Sequence, residues 1–276
     1  MMQKRDSGLS MAVGFVMVLL VIAMIIGMWA VIGVPEQIRD AEDYHAIEVT
    51  NSFLDYKIAV DNLWENDWEG LNISMLIPVS SGYSDGALFM DENVGNLSIL
   101  IGGVESNTYD VSRLYATFGT TNTHVGYEGG GVFRNDYGSA VWVTPPSIII
   151  AKEASDFNVV MIVPDMQGAF AVGSSEGIPV DTSLFSVSNS SHSPTNQITI
   201  VYTSDEEWDA ALWSAFFNET RIFYQQLYLN ETLSIISSMP APTKASLEIT
   251  SPSAGFNLAI ITPVYDVDVR RDLYAQ

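Results

Sequence analysis

The 276-residue chain carries 33 acidic and 11 basic side chains, a formal net charge of −22, and no cysteine. The missing cysteines exclude disulfides and thiolate metal or redox centres, and the acidic balance excludes a basic nucleic-acid-binding face. The three histidines, His45, His124 and His192, form neither an HxxxH nor an HxH pair, so no metal or other cofactor is expected from them.

Residues 1–8 form a short polar tail with Lys4 and Arg5. From Leu9 to Val34 no side chain is charged: LSMAVGFVMVLLVIAMIIGMWAVIGV. As a helix this run extends about 39 Å, enough to span a hydrocarbon core of about 30 Å with some tilt. A buried helix of a soluble protein would show a polar face, and here only the Ser10 hydroxyl and the Trp29 indole are polar. The run is too long for the apolar region of a cleaved secretory signal, and no A-x-A-like site follows it. Pro35 is expected to break or kink the helix. Basic residues flank the start, whereas the far flank holds Glu36, Asp40, Glu42, Asp43 and Glu48 against Arg39 alone. The positive-inside rule therefore puts the N-terminus in the cytoplasm and the C-terminal domain outside a cell membrane crossed once. Ser10 and Gly14, and again Ala23 and Gly27, repeat a small-xxx-small spacing that permits close helix packing.

The layout QKRDSG followed by LSMAVGFVMVLL resembles an archaeal class III signal peptide, the leader of type IV pilin-like surface proteins. The resemblance implies cleavage on the cytoplasmic side, at Ser7, Gly8 and Leu9, with the apolar helix kept on the mature protein. Unlike many archaeal pilins, the mature helix would start without a Gln, and unlike bacterial type IV pilins it carries no early acidic residue.

Residues 36–66 read as a helical stalk, with Ile38, Ala41, Ile47, Leu54, Ile58 and Leu63 as its apolar stripe. Asn66, Asp67 and Gly70 signal its stop. Residues 70–276 read as a β-rich head. Strands are expected at 71–77, 97–101, 139–143, 147–151, 158–163, 168–173 and 197–202, with turn residues between them, as in an antiparallel sandwich. Ser204 to Glu207 reads as a capping box ahead of a helix whose inner face carries Trp208, Ala211, Leu212, Ala215 and Phe216, ending between Asn218 and Tyr224. The segment 227–236 alternates partly like a strand, Pro240 and Pro242 mark a turn, and 246–250 and 256–261 read as closing strands, with 266–270 as a half-exposed one. The expected fold is thus an N-terminal transmembrane α-helix followed by a mainly-β, sandwich-like extracellular domain with one or two helices, an α+β chain.

The outer chain also resembles a loosely defined group of archaeal membrane-anchored surface proteins, through YEGGGVFRND at 127–136, PPSI at 145–148, VVMIVP at 159–164 and ITIVYTSDEEWDAALWSAFFNET at 198–220. That group has no assigned reaction, so the resemblance implies an address and an architecture.

Candidate chemistry is sparse. Gly129, Gly130 and Gly131 lack the following helix and Lys of a phosphate loop and read as a turn. Asp266 and Asp268 would share one strand face, and Asp85, Asp91 and Glu92 a loop; a cation would suit either set, and solvated faces suit both better. The acids Asp205, Glu206, Glu207 and Asp209 at a helix start are accounted for by the macrodipole. There is no GxSxG, and His192 lies in a Ser- and Asn-rich stretch that reads as a solvated loop. No catalytic residue is assigned. N-x-[ST] sequons stand at Asn72, Asn96, Asn189, Asn218 and Asn230, all on the outer side, with Asn72 the least accessible because it opens an apparently buried strand. The reading is a non-enzymatic archaeal pilin-like surface protein, a structural or accessory filament subunit whose partners are the lipid bilayer and other pilin-like subunits, or else a solitary membrane-anchored binding or adhesion module; nucleic acid is not among its partners.

Overall fold

The computed structural model describes residues 6–80, 86–118, 122–154, 156–251 and 255–270. It begins with one unbroken helical rod: α1 (Asp6–Met28), a π-helical turn (Trp29–Gly33) and α2 (Val34–Glu65). The helix starts at Asp6, three residues before the uncharged run. Pro35 does not break it. Proline has no N–H to return to the carbonyl four residues back. The rod widens just before that point: the Val34 amide reaches back to the Trp29 carbonyl, five residues away, which is the signature of a π-bulge. The rod ends at Asn66, after which Asp67 and Gly70 take positive φ values of 55° and 74°.

The head is built from β1 (Asn72–Pro78), β2 (Gly86–Ile101), β3 (Val104–Phe118), β4 (Thr123–Glu128), β5 (Gly131–Asp136), β6 (Ser139–Thr144), β7 (Ile148–Glu153), β8 (Asp156–Ile162), β9 (Asp165–Gln167), β10 (Phe170–Ser174), β11 (Gly177–Thr195) and β12 (Gln197–Ser204). The helix α3 (Glu207–Leu227) follows, then β13 (Ser234–Ala241), β14 (Lys244–Thr250) and β15 (Phe256–Val269). Five strands order as β1-β11-β15-β8-β7, with β9 also on β15; eight order as β13-β14-β12-β2-β3-β4-β5-β6, with β10 also on β2. The expected antiparallel sandwich needs one correction: β15 runs parallel to β8 and to β9.

The two sheets enclose two apolar cores. The first lies against α2 and gathers Ile77, Leu88, Leu114, Val125, Tyr127, Val180, Leu184 and Tyr265; the second lies against α3 and gathers Leu97, Ile99, Phe157, Val159, Ile200, Leu247, Phe256 and Leu258. The long strands β2 and β15 serve both. In β2 the inward residues switch from Leu88 and Met90 to Leu97 and Ile99, across a register irregularity between Asp91 and Gly95 opposite β3. In β15 they switch from Phe256, Leu258 and Ile260 to Tyr265, Val267 and Val269, beside a register shift in β11 between Leu184 and Ser186. Side chains alternate with period two, so the change from even to odd inward positions turns the opposite face of each strand to the core, and one chain segment feeds two cores.

The inner face of α2 differs from the expected stripe. Ala46, Val49, Phe53, Tyr56, Val60 and Leu63 are buried, spaced by alternating threes and fours, whereas Ile47 and Ile58 are 53% and 60% exposed. Of the expected stripe, Leu63 is buried and Leu54 packs part-buried against the core. On α3 the inner face is Asp209, Ala210, Leu212, Trp213, Phe216, Phe217, Thr220 and Tyr224; the expected Ala211 and Ala215 face solvent. Ser204 is not the cap of α3. The N-cap is Glu206, and the Ser204 hydroxyl instead accepts the Glu206 amide and donates to the Val94 carbonyl.

Candidate functional site

Two features stand out: a bare apolar helix and a buried arginine. None of the residues in the apolar stretch Val13–Gly33, 21 residues long, is buried. At 1.5 Å per residue it measures about 31 Å, close to the thickness of a hydrocarbon core. Such a helix serves as a membrane anchor or as a signal sequence. A Cβ added at Gly14 or Gly27 meets nothing within 4 Å. The implied cleavage residues Ser7, Gly8 and Leu9, like Ser10, fall within the first turns of α1.

The buried arginine is Arg113, in the middle of β3 and 4% exposed. Its strand partner in register is Glu128, the last residue of β4. Its Nε donates to Glu128 Oε2 at 2.6 Å, Nη2 to Asp209 Oδ2 at 2.6 Å and Nη1 to Glu206 Oε2 at 3.0 Å. Glu128 and Asp209 are fully buried, and Glu206 is about half exposed. Two aromatic donors complete the group. The Trp213 indole N–H donates to Glu128 Oε1 at 2.8 Å, and the Tyr202 hydroxyl donates to Asp209 Oδ2 at 2.6 Å. The guanidinium carbon also lies 4.6 Å from the ring centre of Trp208, 5.5 Å from Phe133 and 5.9 Å from Tyr115, within cation–π range of all three.

The local chain explains this convergence. Gly129 and Gly130 form a two-residue hairpin turn between β4 and β5, with φ values of 53° and 90°. Positive φ at both central residues is the demand of a type I′ turn, which glycine meets without strain. A Cβ on Gly129 would lie 2.7 Å from the Trp213 ring. The glycines thus let the indole close over the turn and reach Glu128. The turn reading holds, with Tyr127 and Phe133 buried on either side of it.

Charge in the group is not balanced. Burial works against the Arg113 charge, but Glu128 and Asp209 outweigh it and hold its pKa above the ordinary arginine value. Burial, and then the charge of Glu128, push the Asp209 carboxyl well above its ordinary range, against the pull of Arg113 and of the Tyr202 and Ser204 hydroxyls. Two buried carboxylates facing one guanidinium leave one of them short of compensation, and a proton is the cheapest remedy.

Beside Arg113 a cavity of about 260 Å³ is walled by Arg113, Tyr115, Asn122, His124, Asn135, Gly138, Glu206 and Trp208. His124 is half-buried there, and burial lowers its pKa.

Of the remaining sequence candidates, Asp91 adjoins this group, as the β2 partner of Arg113 in register and a hydrogen-bond partner of Tyr115, and the others stay apart from it. Among the described residues no three His, Cys, Asp or Glu side chains are placed to hold a metal ion. Asp266 and Asp268 do share the exposed face of β15, as expected. Asp85 lies outside the described residues; Asp91 and Glu92 lie within β2 and not in a loop, and Glu92 accepts the Gly168 amide. The acids at the start of α3 are more than a response to the macrodipole, since Asp209 and Glu206 hold Arg113. His192 sits in β11, not in a loop. Of the sequons, Asn189, Asn218 and Asn230 are exposed, Asn96 is half-buried between β3 and β12, and Asn72 is exposed, against expectation. Its side chain points outward because the buried positions of β1 come only at its far end.

Sequence reading found the parts of the Arg113 group only as landmarks: YEGGG supplies Glu128 and the turn, and the YTSDEEWDAALW run supplies Tyr202, Glu206, Trp208, Asp209 and Trp213. Arg113 itself gave no local signal. A lone arginine between Ser112 and Leu114 at the end of a polar stretch looks like any solvated cation.

No curated protein and no solved structure matches the chain. Residues 82–238, more than half of the chain and the part that holds the entire Arg113 group but not the apolar helix, match the model of a family of unknown function (DUF7289), and the chain belongs to that family.

Proposed function

We propose that this is a non-enzymatic, pilin-like protein of an archaeal cell surface, anchored by its apolar helix with the N-terminus in the cytoplasm and the β-rich head outside. The observation that carries this reading is the division of one helical rod. Its first part is apolar all round and bare, and its second part is built into the core of the head. Bare apolar surface of that extent needs cover, and either lipid or the like helices of a filament core supply it. The flanking charges favour this orientation, with Lys4 and Arg5 inside and Glu36, Asp40 and Asp43 outside. The exposed sequons Asn189, Asn218 and Asn230 would then be open to glycosylation.

Electron microscopy of sheared cell-surface material, with mass spectrometry of its subunits, tests assembly. Filaments containing a chain that starts within one residue of Leu9 are expected. Gly14→Leu and Gly27→Leu sharpen the test, because a single chain has room for both side chains and the change only adds hydrophobicity. They should abolish filament yield at an unchanged membrane level. Equal yield from wild type and variants, or no filaments from either, would shift the assignment to a solitary membrane-anchored binding module. The walled cavity at Arg113 favours that second reading.

A further inference from the structure

We propose that the cavity beside Arg113 binds a single neutral sugar ring, as a free monosaccharide or as the terminal residue of a glycan. The site is built from three separate places in the chain: Arg113 and Tyr115 on β3, His124 and Asn135 on the β4–β5 hairpin, and Glu206 and Trp208 at the start of α3. At about 260 Å³ it is smaller than the roughly 300–1,000 Å³ of sites for drug-sized ligands. One ring fits; a longer chain would have to leave through the mouth.

The chemistry of the walls selects among ligand classes. An anion is disfavoured: all three guanidinium nitrogens of Arg113 already donate to carboxylates, and Glu206 adds an exposed negative charge at the rim. A cation is disfavoured as well. The rings that would cage an ammonium, Trp208, Phe133 and Tyr115, lie 4.6 to 5.9 Å from the Arg113 guanidinium, whose charge would repel a second cation but not a neutral ligand. What remains is a neutral ligand that combines apolar C–H surface, for Tyr115 and Trp208, with hydroxyls, for planar polar side chains.

A second observation points the same way. Asn135 is 3% exposed, contributes to the cavity wall, and its Oδ1 has no hydrogen-bond partner. Buried acceptors are ordinarily satisfied, and this one asks for an O–H or N–H donor. A sugar hydroxyl supplies one and can in turn accept from the amide or from His124. This proposal does not depend on filament assembly, since a filament subunit and a solitary anchor would present the head alike.

The test uses the full chain in a detergent without a sugar headgroup, because a glycosidic detergent would itself compete. Saturation-transfer NMR is recorded with glucose, galactose, mannose and N-acetylglucosamine, each at about 10 mM, a concentration that nearly fills a site of millimolar Kd. Tetramethylammonium and inorganic phosphate serve as the cation and anion probes. Saturable transfer to at least one sugar is expected, weakened tenfold or more in Trp208→Ala and in Asn122→Ala. Asn122 is an exposed position, so the second variant folds even where the first does not. The sugar should also raise the melting temperature of the wild type in a concentration-dependent way. No saturable signal from any sugar, binding of tetramethylammonium or phosphate instead, or sugar binding unchanged in Asn122→Ala and in folded Trp208→Ala, would overturn the proposal.

Discussion

Deep in the core against α2, the hydrogen bonds that tie the rod to the head are made by neutral groups, although Glu42 is also fully buried at the near end of the rod. The Tyr56 hydroxyl pairs with the Thr182 hydroxyl at 2.9 Å, and the Tyr265 hydroxyl donates to the Val60 carbonyl at 3.0 Å. In the core against α3 the buried polar group is ionic: one guanidinium, two fully buried carboxylates and a third at the rim. The contrast is one of tolerance. A neutral pair loses one hydrogen bond when a partner is removed, whereas an ionic group left without its counter-charge must pay for a naked charge in a poor dielectric. Tyrosine ties suit the place where the helical rod enters the head. The ionic group suits the place where four chain segments must meet in one geometry.

The largest effect should come from Arg113→Leu. It strands Glu128 and Asp209 together, so a loss at the upper end of the roughly 3–5 kcal/mol typical of a broken buried pair is expected, read from denaturant unfolding of the full chain in non-ionic detergent. Adding Glu128→Leu and Asp209→Leu should recover most of that loss. A triple variant no better than the single one would mean that the ionic group does not store the penalty. In the other core, Phe53→Ala should cost about 3–4 kcal/mol through lost contacts and a cavity, with no recovery from a second substitution nearby.

Smaller is the pH effect of Asp209. Its folded pKa is raised above the unfolded value, so its contribution is fully present below the unfolded pKa and is lost as pH rises through the folded one. Wild-type stability should therefore fall with rising pH above about 4, by at most about 1.4 kcal/mol per pH unit from this group. Asp209→Asn should flatten that fall; an unchanged slope would rule out the shared-proton account. Tyr56→Phe, which leaves the Thr182 hydroxyl alone, should cost about 1 kcal/mol and show no pH dependence below pH 9.

The smallest and most diffuse effect is that of salt. All acidic side chains but Asp6 and all basic ones but Lys4 and Arg5 lie beyond Pro35, a balance of 32 against 9, or −23. Screening shortens from about 8 Å at 0.15 M to about 3 Å at 1 M. Thermal melting of the full chain should rise over that range, and Arg113→Leu should benefit no more than wild type, because salt does not reach a buried charge.

What could be read from the sequence follows from where each signal lives. The apolar run at 9–34 is legible because composition alone carries it. The α2 stripe was in the sequence, as Ala46, Val49, Phe53, Tyr56, Val60 and Leu63, but exposed Ile47 and Ile58 offered a competing pattern. Strands with clear apolar alternation, such as 197–202 and 246–250, were found. Neither β3 nor β11 is legible as a strand, since ESNTYD and SNSSHSPT within them are dominated by polar side chains that the strand turns outward. Pro240 reads as a turn residue but sits in β13, where a register irregularity between Ser238 and Ala241 accommodates it. The Arg113 group was illegible for a different reason: it joins positions 113, 128 and 209, and only the pairing of β3 with β4 and the docking of α3 bring them together.

The place of β15 sets an order on biosynthesis. This strand bridges β11 on one side and β8 and β9 on the other, and its Tyr265 ties back to Val60 across 205 residues. Every other strand of that sheet leaves the ribosome first. Until residues 256–269 emerge, β11 and β8 present open edges, the sort of template that recruits stray strands. The apolar helix, by contrast, is available from the start. A ribosome stalled after α3 would leave a chain with its apolar helix already made and its head still open along a seam that only the missing strand can close.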